Sequence, residues 1–270
     1  MHSNTRDSFK SKFGAIAALA GSAVGLGNIW KFPYEAGSNG GGAFLIVYIF
    51  FTLAIGFPVM LAEFSLGRRS QRNAFGTFQT LAPKTKWFLF GILSIIAASL
   101  ILSFYGTVSG WTLEYVWLSL SNAFKDQSAE DINTIFNTFI SHPYKAVLWQ
   151  TGFMLLTGAI VMAGIQKGIE RYTKIMMPLL FIIIIALSIS ACTLSGSRKG
   201  LEFLFFPKFS ELTADSILSA LGQAFFSLSV GMGILLTYAS YIPKNDNLVG
   251  ISLKVIFTDT LVAILAGIAI

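Results

Sequence analysis

The sequence predicts an all-α integral membrane protein, and three observations carry that prediction. Apolar residues make up 54% of the 270 and charged residues only 12%, about half the charge of a soluble globular chain. Twenty-five residues are Phe, and the mean hydropathy is +0.69. The apolar residues also fall in blocks of about 20, enough helix to cross ~30 Å of hydrocarbon. This composition excludes nucleic-acid binding as the primary role.

Seven apolar stretches can be marked, at about 13–37, 42–67, 87–120, 146–163, 175–195, 214–241 and 249–270. With residues 1–12 as a cytoplasmic N-terminal segment, the inside connections hold 13 of the 19 Lys and Arg, among them Arg68, Arg69, Lys167 and Arg171. That bias follows the positive-inside rule. The net charge of +6 is therefore a topology signal, and the expectation is a multi-pass protein of the cell (plasma) membrane with its N-terminus inside. Residues 121–145, the longest polar stretch, read as an outside loop. The single cysteine, Cys192, excludes an internal disulfide. Both histidines, His2 and His142, lie outside the spans, and no nucleophile or metal cluster appears, so enzyme function has no support.

The first span contains Gly21-Ser22-Ala23-Val24-Gly25-Leu26-Gly27-Asn28. Each glycine weakens a helix by ~1 kcal/mol against alanine. A helix broken at mid-membrane leaves backbone groups that hydrocarbon cannot satisfy, so the break must line a cavity or be buried in protein. Close helix packing through Gly21 and Gly25 is the plainer alternative. The sixth span decides between them, because it carries Val230-Gly231-Met232-Gly233, the same V-G-[LM]-G pattern as Val24–Gly27. Matched interruptions five spans apart point to an inverted-repeat (5+5) transporter fold with discontinuous helices 1 and 6 and a site near the bilayer midplane.

The motifs extend the argument. G-S-A-V-G-L-G-N-I-W-K-F-P (21–33), N-G-G-G-A-F (39–44), E-F-S-L-G-R (63–68), G-I-E-R (168–171) and G-Q-A-F-F-S-L-S-V-G-M-G-I-L-L-T-Y-A-S-Y (222–241) run along the whole chain. In these the sequence resembles the neurotransmitter:sodium symporter family, and more closely its bacterial amino-acid-transporting members. The resemblance implies twelve spans, of which this chain supplies helices 1–7. Residues 13–195 would be the first five-helix repeat and 214–270 the first two helices of the second. Ile270 falls inside an apolar run, so the expectation is a fragment whose complete site needs missing C-terminal helices or a partner chain.

The resemblance also implies a site, residue by residue. The first sodium ion would be held by the Ala23 carbonyl, Asn28, Ser227 and Asp259, and the second, incompletely, by the Gly21 and Val24 carbonyls. The amino-acid substrate would meet Ala23, Leu26, Gly27, Tyr105 and Ser229, its carboxylate resting on the N–H groups that open a half-helix. Ile101, Phe226 and Met232 would wall its side chain, with no charged side chain facing them. Tyr48, Gln223, Ser227 and Asp259 match chloride-site positions. Asp259 already supplies a negative charge there, which implies chloride-independent transport. Arg6, Phe9, Lys31 and Tyr241 match gate positions.

Plainer roles compete with several of these. Asn28 also suits helix capping, Ser227 can bond its own helix, Tyr105 can sit in an interfacial belt, and the apolar wall residues can be ordinary packing. Glu63 reads as structural, bonded to backbone freed by the breaks.

The function expected is sodium-coupled import of hydrophobic or aromatic amino acids by alternating access. Gly25, where monoamine-transporting relatives carry an aspartate, leaves room for the substrate's own carboxylate. An inactive or regulatory half-transporter is the nearest rival. A seven-helix receptor is further away, because it would place the N-terminus outside.

Overall fold

The computed structural model describes residues 8–270; Arg6 lies outside the described residues. All regular structure among these is helical. Two compact units divide them: one comprises residues up to Ile95 with Ile165–Ile270, the other Ile96–Gly164.

In the first unit, α1 (Lys12–Ala23) begins where the Ser11 hydroxyl caps the Gly14 N–H at 3.0 Å. It ends at the glycine run. A π-helical turn (Gly27–Lys31) then leads into α2 (Phe32–Ser38), bent by 49° from α1. The second span is α3 (Gly42–Phe51), a π-turn (Thr52–Gly56) and α4 (Phe57–Ser70); α5 (Ala74–Leu81) follows. The third span, α6 (Phe88–Leu120), runs past the unit boundary.

The second unit continues with α7 (Ala129–Ser141) and α8 (Pro143–Met162). The stretch 121–145, expected as a loop, thus holds a 13-residue helix, started by a reciprocal Ser128–Asp131 capping box. Trp111 and Tyr115 of α6 pack against Phe136 of α7, with ring centroids 5.4 and 6.3 Å apart.

Back in the first unit, a π-turn (Ile165–Glu170) opens α9 (Arg171–Cys192), followed by α10 (Ser197–Phe205). The sixth apolar stretch is not one span helix. It is α11 (Ala214–Ser227) and a short α12 (Ile234–Ala239), parted by Leu228–Gly233. Then comes α13 (Leu248–Ala269). Among the described residues five helices are long and apolar enough to cross a membrane, or six with the bent α1/α2 pair. The 214–241 stretch falls outside that count because its unwound middle splits it.

The second span seats the broken sixth through two glycines. A Cβ on Gly56 would lie 2.5 Å from Leu228 Cδ1, and one on Gly67 would lie 2.2 Å from the Leu236 carbonyl oxygen. One apolar core gathers Phe9, Leu19, Phe64, Leu235, Ile251 and Val255 around α1, α4, α12 and α13. Another packs Phe32, Phe44, Tyr48, Leu204 and Ala224. Lipid tails are as apolar as these side chains, so within the membrane such cores are held by close van der Waals packing rather than by removal from water. Leu148, Leu155 and Met162 of α8 are exposed, as an apolar face turned to lipid requires.

Candidate functional site between the broken helices

The two breaks are joined directly. The Ser229 hydroxyl donates to the Ser22 carbonyl at 3.0 Å, and the Gln223 amide donates to the Gly27 carbonyl at 2.9 Å. The same four-letter pattern nevertheless gives different backbones. In the sixth span Ser229, Gly231 and Gly233 have φ of 55°, 82° and 70°, a left-handed conformation that glycine adopts freely and serine only under constraint. Gly25 and Gly27 have no positive φ. There the Gly25 carbonyl accepts from the Asn28 and Ile29 N–H groups at 3.1 Å each.

Backbone freed by the breaks is met by side chains. Glu63 Oε1 accepts from the Gly231 N–H at 2.6 Å, while its Oε2 is buried with no partner among the described residues. Asn28 Oδ1 accepts from the Gly25 N–H at 3.1 Å. Around Gly25 and Gly231 no described atom lies within 4 Å of where a Cβ would sit. Open space therefore borders both interruptions.

Beside this space is a fully enclosed polar cluster. Asp259, from the middle of α13, is 0% exposed, as are Asn28 and Tyr48; Ser227 and Gln223 are 1% exposed. The Ser227 hydroxyl lies 2.8 Å from each Asp259 carboxylate oxygen. Asn28 Nδ2 donates to Asp259 Oδ1 at 2.8 Å and to Ser227 Oγ at 3.0 Å. The Tyr48 hydroxyl donates to Asp259 Oδ2 at 3.1 Å. Ser227 thus bonds across helices rather than to its own backbone, and Asn28 combines a capping bond with bonds to the acid.

A buried carboxylate is strongly disfavoured unless it is paired. These three hydrogen-bond donors are neutral, so the cluster can solvate an anion but not cancel its charge. The Asp259, Ser227 and Tyr48 oxygens suit a hard monovalent cation, whereas Asn28 turns Nδ2 toward them and keeps its possible ligand atom, Oδ1, on the Gly25 N–H. Among the described residues no group of three or more His, Cys, Asp or Glu could hold a metal ion. Two more buried oxygens, Thr52 Oγ1 and Gln223 Oε1, have no hydrogen-bond partner among the described residues. Thr52 stands one helical turn beyond Tyr48, and Gln223 one turn before Ser227. Sequence reasoning missed Thr52; its i, i+4 spacing from Tyr48 was the available signal.

Ala23 is 6% exposed and Val24 7%, both at the end of α1. Gly21 packs against Thr173 and Met177 of α9, at 3.4 and 3.5 Å from a would-be Cβ. Leu26 immediately precedes the π-turn that Gly27 opens. Met232 lies in the unwound segment. Ile101 and Tyr105 belong to the other unit, four residues apart on one face of α6. Phe9 and Tyr241 meet edge to face at 6.4 Å, and the Phe9 N–H donates to the Tyr241 carbonyl at 3.2 Å.

One expectation is corrected. The sequence suggests wall residues that face no charge, yet the Lys31 ammonium sits 4.4 Å from the Phe226 ring centroid. The quadrupole of the ring face attracts the cation.

Glu170, which the sequence presents only as part of a motif, has an evident structural task. It is 1% exposed and accepts from the Lys10 N–H at 2.7 Å, the Ser11 N–H at 3.2 Å and Lys174 at 2.6 Å. A Cβ on Gly14 would lie 2.1 Å from its Oε1, so α1 starts directly on this carboxylate.

Comparison with known proteins agrees with the geometry. The family model for the sodium:neurotransmitter symporter family matches residues 6–139 and 139–270. The chain is 44% identical over 260 residues to an uncharacterized sodium-dependent transporter, YhdH, of Bacillus subtilis, covering 96% of this chain and 58% of that protein. It is 34% identical over 273 residues to an uncharacterized sodium-dependent transporter of Haemophilus influenzae, covering 97% of this chain and 60% of that one. The chain therefore spans less than two thirds of the length of these relatives. Among solved structures, that of MhsT in complex with L-phenylalanine superposes with a TM-score of 0.93 at 47% identity, over 98% of this chain and 60% of that one. The shared architecture is the multi-span, inverted-repeat membrane fold with discontinuous helices. Relatives of this kind are transporters, not enzymes, and the chain belongs to the sodium:neurotransmitter symporter family.

Proposed function

We propose that this chain forms the substrate- and sodium-binding part of a sodium-coupled symporter that imports hydrophobic or aromatic amino acids, independently of chloride, across the plasma membrane. The observation that carries the reading is the Asp259 carboxylate, fully buried and held by Asn28, Ser227 and Tyr48 beside the two broken helices. A fixed negative charge among neutral oxygens is what a co-transported cation needs. It also makes a separate anion unnecessary.

In this reading the Ala23 carbonyl, Asn28, Ser227 and Asp259 hold one sodium ion, and the Gly21 and Val24 carbonyls contribute to a second. The amino acid's carboxylate takes the space beside Gly25, received by the Leu26 and Gly27 N–H groups and by Tyr105. Its ammonium group faces the Ala23 carbonyl and Ser229, whose hydroxyl oxygen can still accept a bond while donating to Ser22. Ile101, Phe226 and Met232 enclose the side chain, and flexible Met suits a range of apolar shapes. Phenylalanine in the MhsT structure supports this substrate class.

Residues 13–195 act as the first inverted repeat and 214–270 as the opening of the second, with the N-terminus cytoplasmic. Alternating access then proceeds by parting Phe9 from Tyr241 on the inner side and Lys31 from its surroundings on the outer. Tyr48 and Gln223 occupy what is the chloride position in other family members, with Asp259 in place of the anion.

The test is uptake of radiolabelled amino acids into proteoliposomes, with and without an inward sodium gradient. Leu, Ile, Phe, Tyr or Trp should accumulate only with sodium. Uptake confined to charged amino acids, or indifferent to sodium, would sink the reading.

A further inference from the structure

Within the unit Ile96–Gly164, α6 and α8 run antiparallel along a three-level seam. At one level a Cβ on Gly106 would lie 3.4 Å from Met154 Sδ and 3.5 Å from Gln150 Nε2. At the next, a Cβ on Gly110 would lie 2.7 Å from Gln150 N and 2.9 Å from its Cα. At the third, Lys145 pairs with Glu114, which is 0% exposed. Positions 106, 110 and 114 are four apart and form one stripe of α6. Their partners descend from 154 through 150 to 145 along α8, as an antiparallel register demands.

Gln150 fastens this seam in two ways. Its backbone touches Gly110, where no side-chain movement can make room, and this sets the distance between the helices. Its side chain reaches along the stripe to accept a hydrogen bond from Thr107 Oγ1 at 3.2 Å. That bond is off the stripe's centre line, so it resists rotation of α6 about its own axis. The same Thr107 hydroxyl also lies 3.2 Å from the Ser103 carbonyl of its own helix, so of its two acceptors only Gln150 ties α6 to α8.

Rotation matters because Tyr105 is the residue before Gly106, about 100° around the helix, with Ile101 one turn away on the same face. Side-chain tips lie about 5–6 Å from a helix axis, so a turn of about 10° moves them by about 1 Å. A displacement of about 1 Å at a positioned group can cost up to about 100-fold. We propose that Gln150 is a positioning residue, which through Thr107 and the Gly106/Gly110 groove sets the rotation of α6 and so the aim of Tyr105 at the bound amino acid. This rests on the reading of Tyr105 as a substrate contact.

The experiment compares Gln150→Leu, Thr107→Val and the double variant, in the wild-type and Tyr105→Phe backgrounds of the reconstituted protein. Gln150→Leu keeps the bulk and the backbone contact but loses the acceptor; Thr107→Val is the gentler, nearly isosteric partner. In the wild-type background each single variant should raise the KM for phenylalanine about fivefold at unchanged maximal rate, with the double variant no worse than either. In the Tyr105→Phe background Gln150→Leu should change KM less than about twofold.

An equal KM change in both backgrounds, or none in either, overturns the proposal. Melting temperatures of the same set report on the seam without reference to transport. Non-additive losses support the Gln150–Thr107 coupling, and additive ones overturn it. A wild-type protein that takes up no amino acid would defeat the functional reading instead, and the melting cycle would still decide the seam.

Discussion

Asn28 Nδ2 lies 2.8 Å from Asp259 Oδ1, while the Oδ1 of the same Asn28 amide receives the Gly25 N–H at 3.1 Å. One side chain thus connects the shape of the first break to the charge on the seventh span, 231 positions away. The same amide therefore holds the carboxylate and the Gly25 backbone at once, where open space begins.

Removing that link should damage both ends. Asn28→Ala leaves the Gly25 N–H and an Asp259 oxygen short of a partner, each loss costing about 1–3 kcal/mol when buried. We expect a lower melting temperature and loss of sodium-dependent substrate binding, measured on detergent-purified protein with and without sodium. Asn28→Ala that binds normally would remove Asn28 from the site.

Two glycines should respond oppositely to the same methyl group. Gly25 has no positive φ and no described atom within 4 Å of a Cβ, so Gly25→Ala should leave melting unchanged or raise it slightly. It should still weaken amino-acid binding by about tenfold or more, because the methyl group occupies the space assigned to the carboxylate, at about 1.4 kcal/mol per factor of ten. Gly67→Ala drives a Cβ to 2.2 Å from the Leu236 carbonyl oxygen, and such overpacking costs about 1–3 kcal/mol. Thermal melting and equilibrium binding of the two variants read the contrast directly.

Lys31 over the Phe226 ring offers a graded test of the pocket wall. A cation–π contact contributes about 0.5–2 kcal/mol, depending on exposure. Lys31→Met should therefore raise the KM for phenylalanine by no more than about 30-fold while the protein still folds. A variant that abolishes folding, seen by melting, would mean that Lys31 is structural instead.

Both helix interruptions and the exceptional cost of Asp259 were legible in the sequence, while Asn28, Ser227 and Tyr48 as its neighbours followed only from the family resemblance. Glycine runs at mid-span weaken a helix where hydrocarbon cannot compensate, and an acid inside a span is too costly to keep without a task. The geometry of the breaks was not legible. Val24–Gly27 and Val230–Gly233 share their letters, yet positive φ occurs only in the second, because surrounding contacts such as Glu63 with the Gly231 N–H choose the conformation. The π-turns at Thr52–Gly56 and Ile165–Glu170 were also hidden. An extra residue in a helical turn leaves the apolar pattern almost intact. Helix α7 was readable from Ser128 and Asp131 at cap spacing, but its polar composition made it resemble a loop. The Lys31–Phe226 contact joins residues far apart in sequence, and no spacing announces it.

The central claim is that Asp259 provides the negative charge that balances bound sodium. The most direct measurement is sodium-driven phenylalanine uptake by wild-type and Asp259→Asn proteins, with chloride present and with chloride replaced by gluconate. The account predicts wild-type uptake indifferent to chloride, and an Asp259→Asn protein that transports only when chloride is supplied. Chloride-stimulated uptake by the wild type, persisting in Asp259→Asn, would contradict it.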